Sequence, residues 1–481
     1  MKRSASASTS TLSLQYFIPA ITLIIIVAVT LFAVQAQDDD DEDQGNNHHQ
    51  KSHGQPPRDL QDSQGAAILG NAARLIAEGR TTFRFDTFGD ETFWGDTLRL
   101  HEAVATLTPR QVLSLGLKVD RQALSKSLQQ RIKAGKVDLD DPTVTLQLLR
   151  LGAVVGVVGF FDQTNNRLNS VGLTCAVCHS TVNDSLASGI GERLDGWANH
   201  DLNSGAIIAA APNIKPITDL LKIVNPALDD AAVRAVLNTW GPGKFDAELL
   251  LDGKVSQPDG RSAATLIPNA FDLAGFNLHT WTGGWGTVSY WNAFVAVLEL
   301  HGQGTFFDER LDNAAQFPIA AAAGFGHVSV DPDEDRVTPK LPSLHFYQLS
   351  IPSPKPKADV DFDPVAAQRG DELFGGKANC NRCHREPLWT EPGWNEHKPD
   401  DLKIDAFQAD RSPGHSYKTM NLAGLFVRER GLFMNPQNKG RFYHDGRFQT
   451  LLDVVDSYNT RFSLGLTAEE EKDVVEYLKS L

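Results

Sequence analysis

Two short runs contain every cysteine of the chain, and each could bind the same kind of group. Cys175 to His179 reads Cys-Ala-Val-Cys-His, Cys380 to His384 reads Cys-Asn-Arg-Cys-His, and the chain has only four cysteines. A Cys-x-x-Cys-His run is typical of covalent haem c attachment, in which two thiols bond the haem vinyl groups and the adjacent imidazole binds iron. The sequence therefore predicts two covalent haems, attached at Cys175, Cys178, Cys380 and Cys383, with His179 and His384 as iron ligands.

Two other kinds of site also use cysteine pairs. A structural zinc site takes four Cys or His ligands, normally within a short span. The two pairs here lie far apart, so two zinc half-sites would have to combine in space. A redox dithiol would not explain why a histidine follows both pairs. Haem attachment explains all six residues.

The N-terminus has the composition of an export signal. A short positive start precedes an apolar run over 17–33, and small residues stand at the cleavage positions in 34–36. We expect residues 1–36 to be a signal peptide or, because the run approaches the length of a membrane span, an N-terminal anchor. Residues 37–59 are acidic and rich in Asn, Gln and His, which predicts a disordered linker. The rest of the chain is expected to be periplasmic or secreted.

The segment from residue 60 to the first cysteine shows helical patterns and no chemistry of its own. Ala66 to Ala77 has helical spacing, and Gly79 is interpreted as the stop signal of that helix. Asp96 is expected to cap the next helix, and Thr108-Pro109 forms an N-cap and N1 pair for another. We interpret this segment as a helical cover for the first haem domain.

A β-hairpin is predicted immediately before the first cysteine pair. The apolar run from Leu151 to Phe161 and the run from Arg167 to Thr174 flank five turn residues at 162–166. The second run leads directly into Cys175. The hairpin is therefore expected to deliver the first motif.

The stretch after the first motif contains the candidate catalytic residues. Helical spacing from Tyr290 to His301 would place His301 late on the apolar face of a helix, close in sequence to Trp285. His301 could bind iron or move a proton between peroxide oxygens, although a core histidine is the ordinary alternative. Glu309 is a candidate acid or base, and Trp285 could relay electrons, although most tryptophans simply fill core volume. Weaker candidates are His200 and His279 as distal groups and Glu299 as an acid or base.

The last part of the chain reads as a separate domain. The proline-rich run over 339–356 is interpreted as a linker, which places a boundary near residue 355 and predicts domains at 60–355 and 356–481. In the second domain, Asp363-Pro364 begins a helix that carries Gly370 and Phe374. A capping box from Thr467 to Glu470 begins the terminal helix, and Gly370 should let these two helices approach closely.

Four motifs in this domain carry a resemblance to a known family. In order they are Arg369 to Phe374, Cys380 to His384, Phe442 to Phe448 (Phe-Tyr-His-Asp-Gly-Arg-Phe) and Thr450 to Val455. The chain resembles the bacterial di-haem cytochrome c peroxidase superfamily, which includes the enzyme that matures tryptophan tryptophylquinone and the rubber oxygenases. The resemblance is tight over about the last quarter of the chain. Upstream it rests on the first cysteine motif alone.

The resemblance implies a mainly α fold with two cytochrome c-like haem domains, an N-terminal helical extension and a few short strands. It implies that the C-terminal haem takes electrons from a small donor protein, a cytochrome c or a cupredoxin. The first haem would then reduce hydrogen peroxide or activate dioxygen. A pure electron carrier and a rubber-oxygenase-like or protein-modifying oxidase are the alternatives. The formal net charge of −15 argues against a nucleic-acid partner.

The resemblance also suggests a distal ligand for the second haem. Tyr458 follows His444 at the spacing where the superfamily's peroxidases have a ligand methionine and the quinone-maturing enzyme has a ligand tyrosine. We therefore expect Tyr458 to bind the second iron, with His444, Met420 and Met434 as alternatives. A phenolate would favour ferric iron and lower the reduction potential. A core tyrosine is the ordinary alternative.

Overall fold

Helix is the main element of the chain, as predicted. The computed structural model describes residues 63–481, and the predicted signal segment (1–36) and linker (37–59) lie outside them. The α-helices of the described part are α1 (Ser63–Phe85), α2 (Leu100–Val104), α3 (Pro109–Ser114), α4 (Lys126–Lys133), α5 (Pro142–Arg150), α6 (Ala176–His179), α7 (Ser204–Ala209), α8 (Lys215–Leu221), α9 (Asp230–Asn238), α10 (Leu249–Asp252), α11 (Val288–Phe294), α12 (Pro318–Ala323), α13 (Leu341–Leu349), α14 (Pro364–Gly375), α15 (Pro399–Leu402), α16 (Leu425–Arg430), α17 (Leu451–Phe462) and α18 (Ala468–Ser480).

The strands are short and form two-stranded pairs. The pair of β1 and β5 is parallel, and the other pairs are antiparallel: β2 with β3, β4 with β6, β7 with β8, and β9 with β10. Their bounds are β1 (Val119–Asp120), β2 (Val157–Phe161), β3 (Leu168–Leu173), β4 (Ser180–Val182), β5 (Ile190–Gly191), β6 (Arg193–Asp195), β7 (Lys244–Phe245), β8 (Thr265–Leu266), β9 (Phe306–Phe307) and β10 (His327–Val328).

The first helix is longer than predicted. Gly79 does not end α1, which continues to Phe85. Gly79 is buried where α1 crosses α13, and a Cβ atom there would lie 1.9 Å from the carbonyl oxygen of Ser343. The glycine therefore allows two helix backbones to touch, and its role as a stop signal was a wrong prediction.

Two further predictions in the helical cover had different outcomes. Asp96 does not cap a helix, because it lies inside a π-helix over Thr92–Thr97, where the Leu98 N–H bonds to the Phe93 carbonyl. Thr108 does cap α3: its side chain accepts from the Gln111 N–H, and the Gln111 side chain accepts from the Thr108 N–H. This capping box satisfies two N–H groups that a helix terminus leaves free.

The predicted hairpin is present. Strands β2 and β3 pair antiparallel from Val157 opposite Leu173, and β3 ends immediately before Thr174. Helix α6 then contains the rest of the first cysteine motif, from Ala176 to His179. The extended pair therefore sets the direction from which the chain enters this motif.

The helix predicted to reach His301 ends earlier. Helix α11 is followed by a π-helix over Val295–Glu299, in which the Leu300 N–H bonds to the Val295 carbonyl. His301 lies beyond it with a left-handed backbone (φ 60°). Its predicted position on a helix face was therefore wrong, since the wider turn changes the direction of every later side chain.

The proline-rich run is not an extended linker. It contains α13, whose first turn includes a proline, a residue that tolerates this position because the helix start needs no N–H donor. The described residues lie in one compact unit. One of its apolar cores is built entirely from residues after 370, and the domain boundary near 355 stays a prediction. None of the described helices is both long enough and apolar enough to span a bilayer.

The first and last helices of the C-terminal part pack as predicted. Asp363 caps α14 and Thr467 caps α18. A Cβ atom on Gly370 of α14 would lie 2.0 Å from the Asp473 carbonyl oxygen of α18. Phe374 packs beside this crossing against Tyr477, with ring centroids 5.1 Å apart.

We predict that Gly370→Ala destabilises the fold by about 1–3 kcal/mol, because the two backbones must separate to admit the methyl group. Chemical denaturation followed by circular dichroism measures this. The matched control is Gly375→Ala in the same helix, where the added Cβ would meet only the Asn381 side chain at 3.4 Å. Equal stability of the two variants would contradict the close approach.

Candidate cofactor site

One cavity is lined by residues of both cysteine motifs. Its volume is about 950 Å³, and its walls include His179 from the first motif and Cys380, Cys383 and His384 from the second. Most of the remaining wall is apolar or aromatic and comes from the C-terminal part. Cofactor pockets are commonly 300–1,000 Å³ and mostly apolar. The cavity therefore fits a large apolar group attached at the second motif.

Both motif imidazoles are held in the same way. The Nδ1 atom of His179 lies 3.1 Å from the Pro268 carbonyl oxygen, and that of His384 lies 2.9 Å from the Trp389 carbonyl oxygen. A carbonyl only accepts, so each Nδ1 carries the hydrogen and each Nε2 keeps its lone pair. Metal-binding histidines are usually fixed by such a bond.

Burial keeps these imidazoles neutral. It lowers the pKa of both His179 and His384 to about 4, while the carbonyl bonds act in the opposite direction. A neutral imidazole is the form that binds a metal ion. Both imidazoles are therefore in the neutral form that can bind iron.

None of the four cysteines forms a disulfide, and burial raises the pKa of three of their thiols. Burial raises the pKa of Cys175 and Cys178 to about 12 and that of Cys380 to about 11. Cys175 and Cys178 are half-buried and do not line the cavity. The first motif contributes only His179 to the cavity wall. The donor set of two thiols and one imidazole at each motif fits a covalently attached haem.

All four candidates for the distal side of the second motif line the cavity with His384. They are Tyr458, His444, Met420 and Met434. The Arg461 guanidinium lies 4.5 Å from the centroid of the Tyr458 ring, and burial raises the pKa of this tyrosine. Burial lowers the pKa of His444 to about 4, and its ring stacks 5.1 Å from that of Tyr417. Iron binding by Tyr458 or His444 stays a prediction.

The three candidates for the first motif have different surroundings. His301 stacks on Phe93 at 3.7 Å between ring centroids and is not among the residues lining the cavity. Glu309 is exposed on a 3₁₀-helix over Glu309–Asp312. Trp285 is 1% exposed, and its Nε1–H donates to Glu248 at 3.3 Å. These three side chains make no hydrogen bond or ring contact with one another, although Arg310, next to Glu309, lies 6.0 Å from the Trp285 ring. Their catalytic roles stay predictions.

Some residues that the sequence analysis gave less weight line the cavity. His200 and His279, the weaker distal candidates, line the cavity. Trp197, Trp281 and Trp291 also line it, whereas Trp285 lies outside it. No local pattern distinguishes the lining tryptophans from the core one, because the difference depends on segments that meet only in the folded chain.

A buried acidic cluster lies beside the first motif. Glu299 is close enough to Cys178 for its charge to raise the pKa of that thiol. Burial, reinforced by Glu248 and Asp246, holds the pKa of Glu299 well above its ordinary value. Burial also raises the pKa of Glu248 to about 7. Its surroundings therefore favour the protonated form of Glu299 beside the first motif.

A buried arginine compensates part of this acidic charge. Arg411 is fully buried; its Nε and Nη2 donate to Asp252 at 2.8 and 3.0 Å, and Nη2 lies 2.9 Å from Asp246. Sequence reasoning missed Glu248 and Arg411. Arg411 lies 159 residues from its partner Asp252, and Trp285 lies 37 residues from Glu248, so no local spacing rule could connect these pairs.

Comparison with known proteins supports the haem interpretation. The chain is 24% identical over 291 residues to the cytochrome-c peroxidase IdrP1 of Denitromonas iodatirespirans, an alignment covering 50% of this chain and 73% of that protein. The predicted resemblance to the di-haem cytochrome c peroxidase superfamily is confirmed by this relative. No family model matches the chain.

A solved structure with a partial likeness is the hydrazine synthase of Kuenenia stuttgartiensis. It is 16% identical, and the match covers 49% of this chain and 86% of that one. The TM-score is 0.26, too low to carry an argument about fold or function.

We predict that Tyr458→Phe changes the ferric spectrum of the second haem and raises its reduction potential, since an anionic oxygen ligand is lost. Absorption spectroscopy with potentiometry measures both. Tyr477→Phe is the matched control, because Tyr477 is buried against Phe374 and is not a cavity-lining residue. A methionine charge-transfer band in the unmutated ferric protein would contradict the tyrosine assignment.

Proposed function

We propose that this chain, which is similar to a cytochrome-c peroxidase, is an exported di-haem c-type cytochrome. It takes electrons through the C-terminal haem and reduces peroxide at the first haem. The observation that carries the proposal is the matching pair of Nδ1–H bonds, which leaves one free Nε2 beside each pair of thiols. The N-terminal composition supports export, because c-type haems are attached outside the cytoplasm.

The residues that would hold the haems are those of the two motifs. Cys175, Cys178 and His179 would hold the first, and Cys380, Cys383 and His384 the second. When bound, haem supplies an iron that changes oxidation state and can take an exogenous ligand where one axial position is open. The protein supplies orientation, exclusion of water and proton delivery.

Glu299 is the group we assign to proton delivery. Reduction of hydrogen peroxide to water consumes one proton for each electron, so the buried site needs a source of protons. Glu299 lies beside Cys178, and its raised pKa favours the protonated carboxyl group that a proton donor needs. Glu248, whose pKa is about 7, can exchange a proton near neutral pH and so resupply it.

The electron donor is proposed to be a small redox protein, a cytochrome c or a cupredoxin. Trp394 is 66% exposed on the loop between Glu391 and His397. Side-chain atoms of Glu391 and His397 lie within 4.8 Å of each other and of the Cys383 sulfur. An exposed aromatic residue close to the second motif suits a transient contact, and the net charge of −15 favours a basic donor.

A pure electron carrier is the second candidate. Burial keeps His279 neutral, with its pKa lowered to about 3, and His279 lines the same cavity as His179. If an imidazole bound the first iron opposite His179, that haem would be six-coordinate and suited to electron transfer alone.

We predict that the protein, produced with a c-type haem maturation system, carries two covalent haems. Intact mass spectrometry should show the mass of two haems added to the chain. Cys383→Ala should remove a thioether bond at the second motif and lower the covalent haem content, and Cys178→Ala should do the same at the first. An unmodified chain mass in the wild type, or two covalent haems unchanged in the Cys383 variant, would contradict the assignment.

We predict that Glu299→Gln lowers peroxide turnover by a factor of about 100 or more, because an amide cannot deliver the proton. Haem content and reduction potentials should stay unchanged. Steady-state kinetics of Glu299→Gln and Glu309→Gln compare the half-buried glutamate with the exposed one. Full activity in Glu299→Gln with loss in Glu309→Gln would reverse this assignment and favour Glu309.

A further inference from the structure

Arg428 is a buried guanidinium on the cavity wall without a carboxylate partner among the residues described. It lies on α16, is 8% exposed and lines the cavity. Its Nη1 donates to the Arg441 carbonyl oxygen at 3.0 Å, and its guanidinium lies 5.8 Å from the Phe442 ring centroid. An arginine has five N–H donors and stays charged, so most of its bonding capacity is unused.

Among the described residues, the charged side chains near Arg428 are cations or a carboxylate that is already paired. Burial and the neighbouring Arg441 lower the pKa of Arg428 to about 10. Lys118, a third cation in this region, is already paired with Asp201 at 2.6 Å. That carboxylate also accepts from the Asn438 amide at 2.7 Å, so it is occupied.

His200 is a second polar group on this wall without a partner. Its imidazole is buried, lines the cavity and makes no hydrogen bond with any residue of the described chain. Burial and the positive charges of Arg428 and Arg441 hold its pKa well below the ordinary value. A neutral imidazole keeps one N–H donor. Two buried side chains therefore offer unused donors to the same cavity.

Elsewhere the fold pairs its buried arginines with carboxylates. Arg411 bonds both oxygens of Asp252, and Arg193 lies 3.1 Å from Asp120. An unpaired buried charge costs several kcal/mol. Arg428, in contrast, has no carboxylate partner among the described residues and lines the cavity. We therefore expect the ligand of the cavity to supply the negative charge that pairs with it.

We propose that Arg428, with His200 beside it, binds a propionate of the haem attached at Cys380 and Cys383. The inference rests on the proposed function, because it requires a haem in the cavity. Haem is apolar except for two carboxylates, and this corner offers charge-assisted donors within a mostly apolar wall. His200 is thereby assigned to the carboxylate and not to iron.

The test uses the holoprotein after intact mass has confirmed two covalent haems. In Arg428→Gln, the propionate loses its cation, so its affinity for protons should rise about tenfold or more. The reduction potential of the C-terminal haem should fall, because a positive charge near the iron is lost, and should become dependent on pH between about pH 5 and 7. The propionate bending band in resonance Raman spectra should shift. Lys439→Gln, an exposed charge near α16, is the matched control and should change none of these.

A second variant covers the case in which Arg428→Gln does not fold. Arg428→Lys keeps the charge but loses the planar fork, so the potential should stay near the wild-type value while the Raman band shifts. The assignment would be overturned if both haems are present and the Raman band is unchanged in both variants, or in Arg428→Lys if that variant alone folds. The proposed function would not be affected by that result. Absence of covalent haem would instead contradict the proposed function itself.

Added acetate separates a haem propionate from a free carboxylate. The wild-type haem spectrum should not respond to acetate, because the donors are already occupied. A saturable response in the wild type that Arg428→Gln abolishes would show that the corner binds free anions, and would overturn the propionate assignment.

Discussion

The hydrogen bond between each motif imidazole and a backbone carbonyl outside its motif is the constraint on which the rest of the site depends. Pro268 supplies the acceptor for His179, and Trp389 supplies it for His384. Each bond fixes the tautomer and the plane of its ring, so each Nε2 is aimed before any iron arrives. The loops that contain these carbonyls must therefore fold correctly for either motif to bind iron.

The loops are held in turn by buried contacts between early and late parts of the chain. Arg411, from the segment after the second motif, reaches Asp246 and Asp252 in the segment after the first. Breaking a buried ion pair of this kind costs about 3–5 kcal/mol. Asp201 similarly accepts from Lys118 and from the Asn435 N–H. These contacts hold both parts of the chain around one cavity, which brings the two motif imidazoles to a shared space.

Local chemistry in the sequence was enough to find the two motifs, the capping of α14 and α18, and the hairpin before Cys175. It failed where the decisive partner lies far away. Gly79 looks like a helix stop until α13 is seen to pack against it. His301 does not lie on the predicted helix face because a π-helical turn precedes it, and no residue pattern predicts that turn. The pKa of Glu248 rises to about 7 only because the folded chain buries it.

We propose that one iron is a reactive centre and the other an electron-transfer centre. Electron paramagnetic resonance of the fully oxidised and half-reduced protein, before and after hydrogen peroxide, tests it most directly. We expect a high-spin ferric signal, present at the start or appearing on half-reduction, that peroxide removes. Two low-spin signals in the oxidised protein, with only low-spin signal left after half-reduction and no response to peroxide, would instead identify an electron carrier.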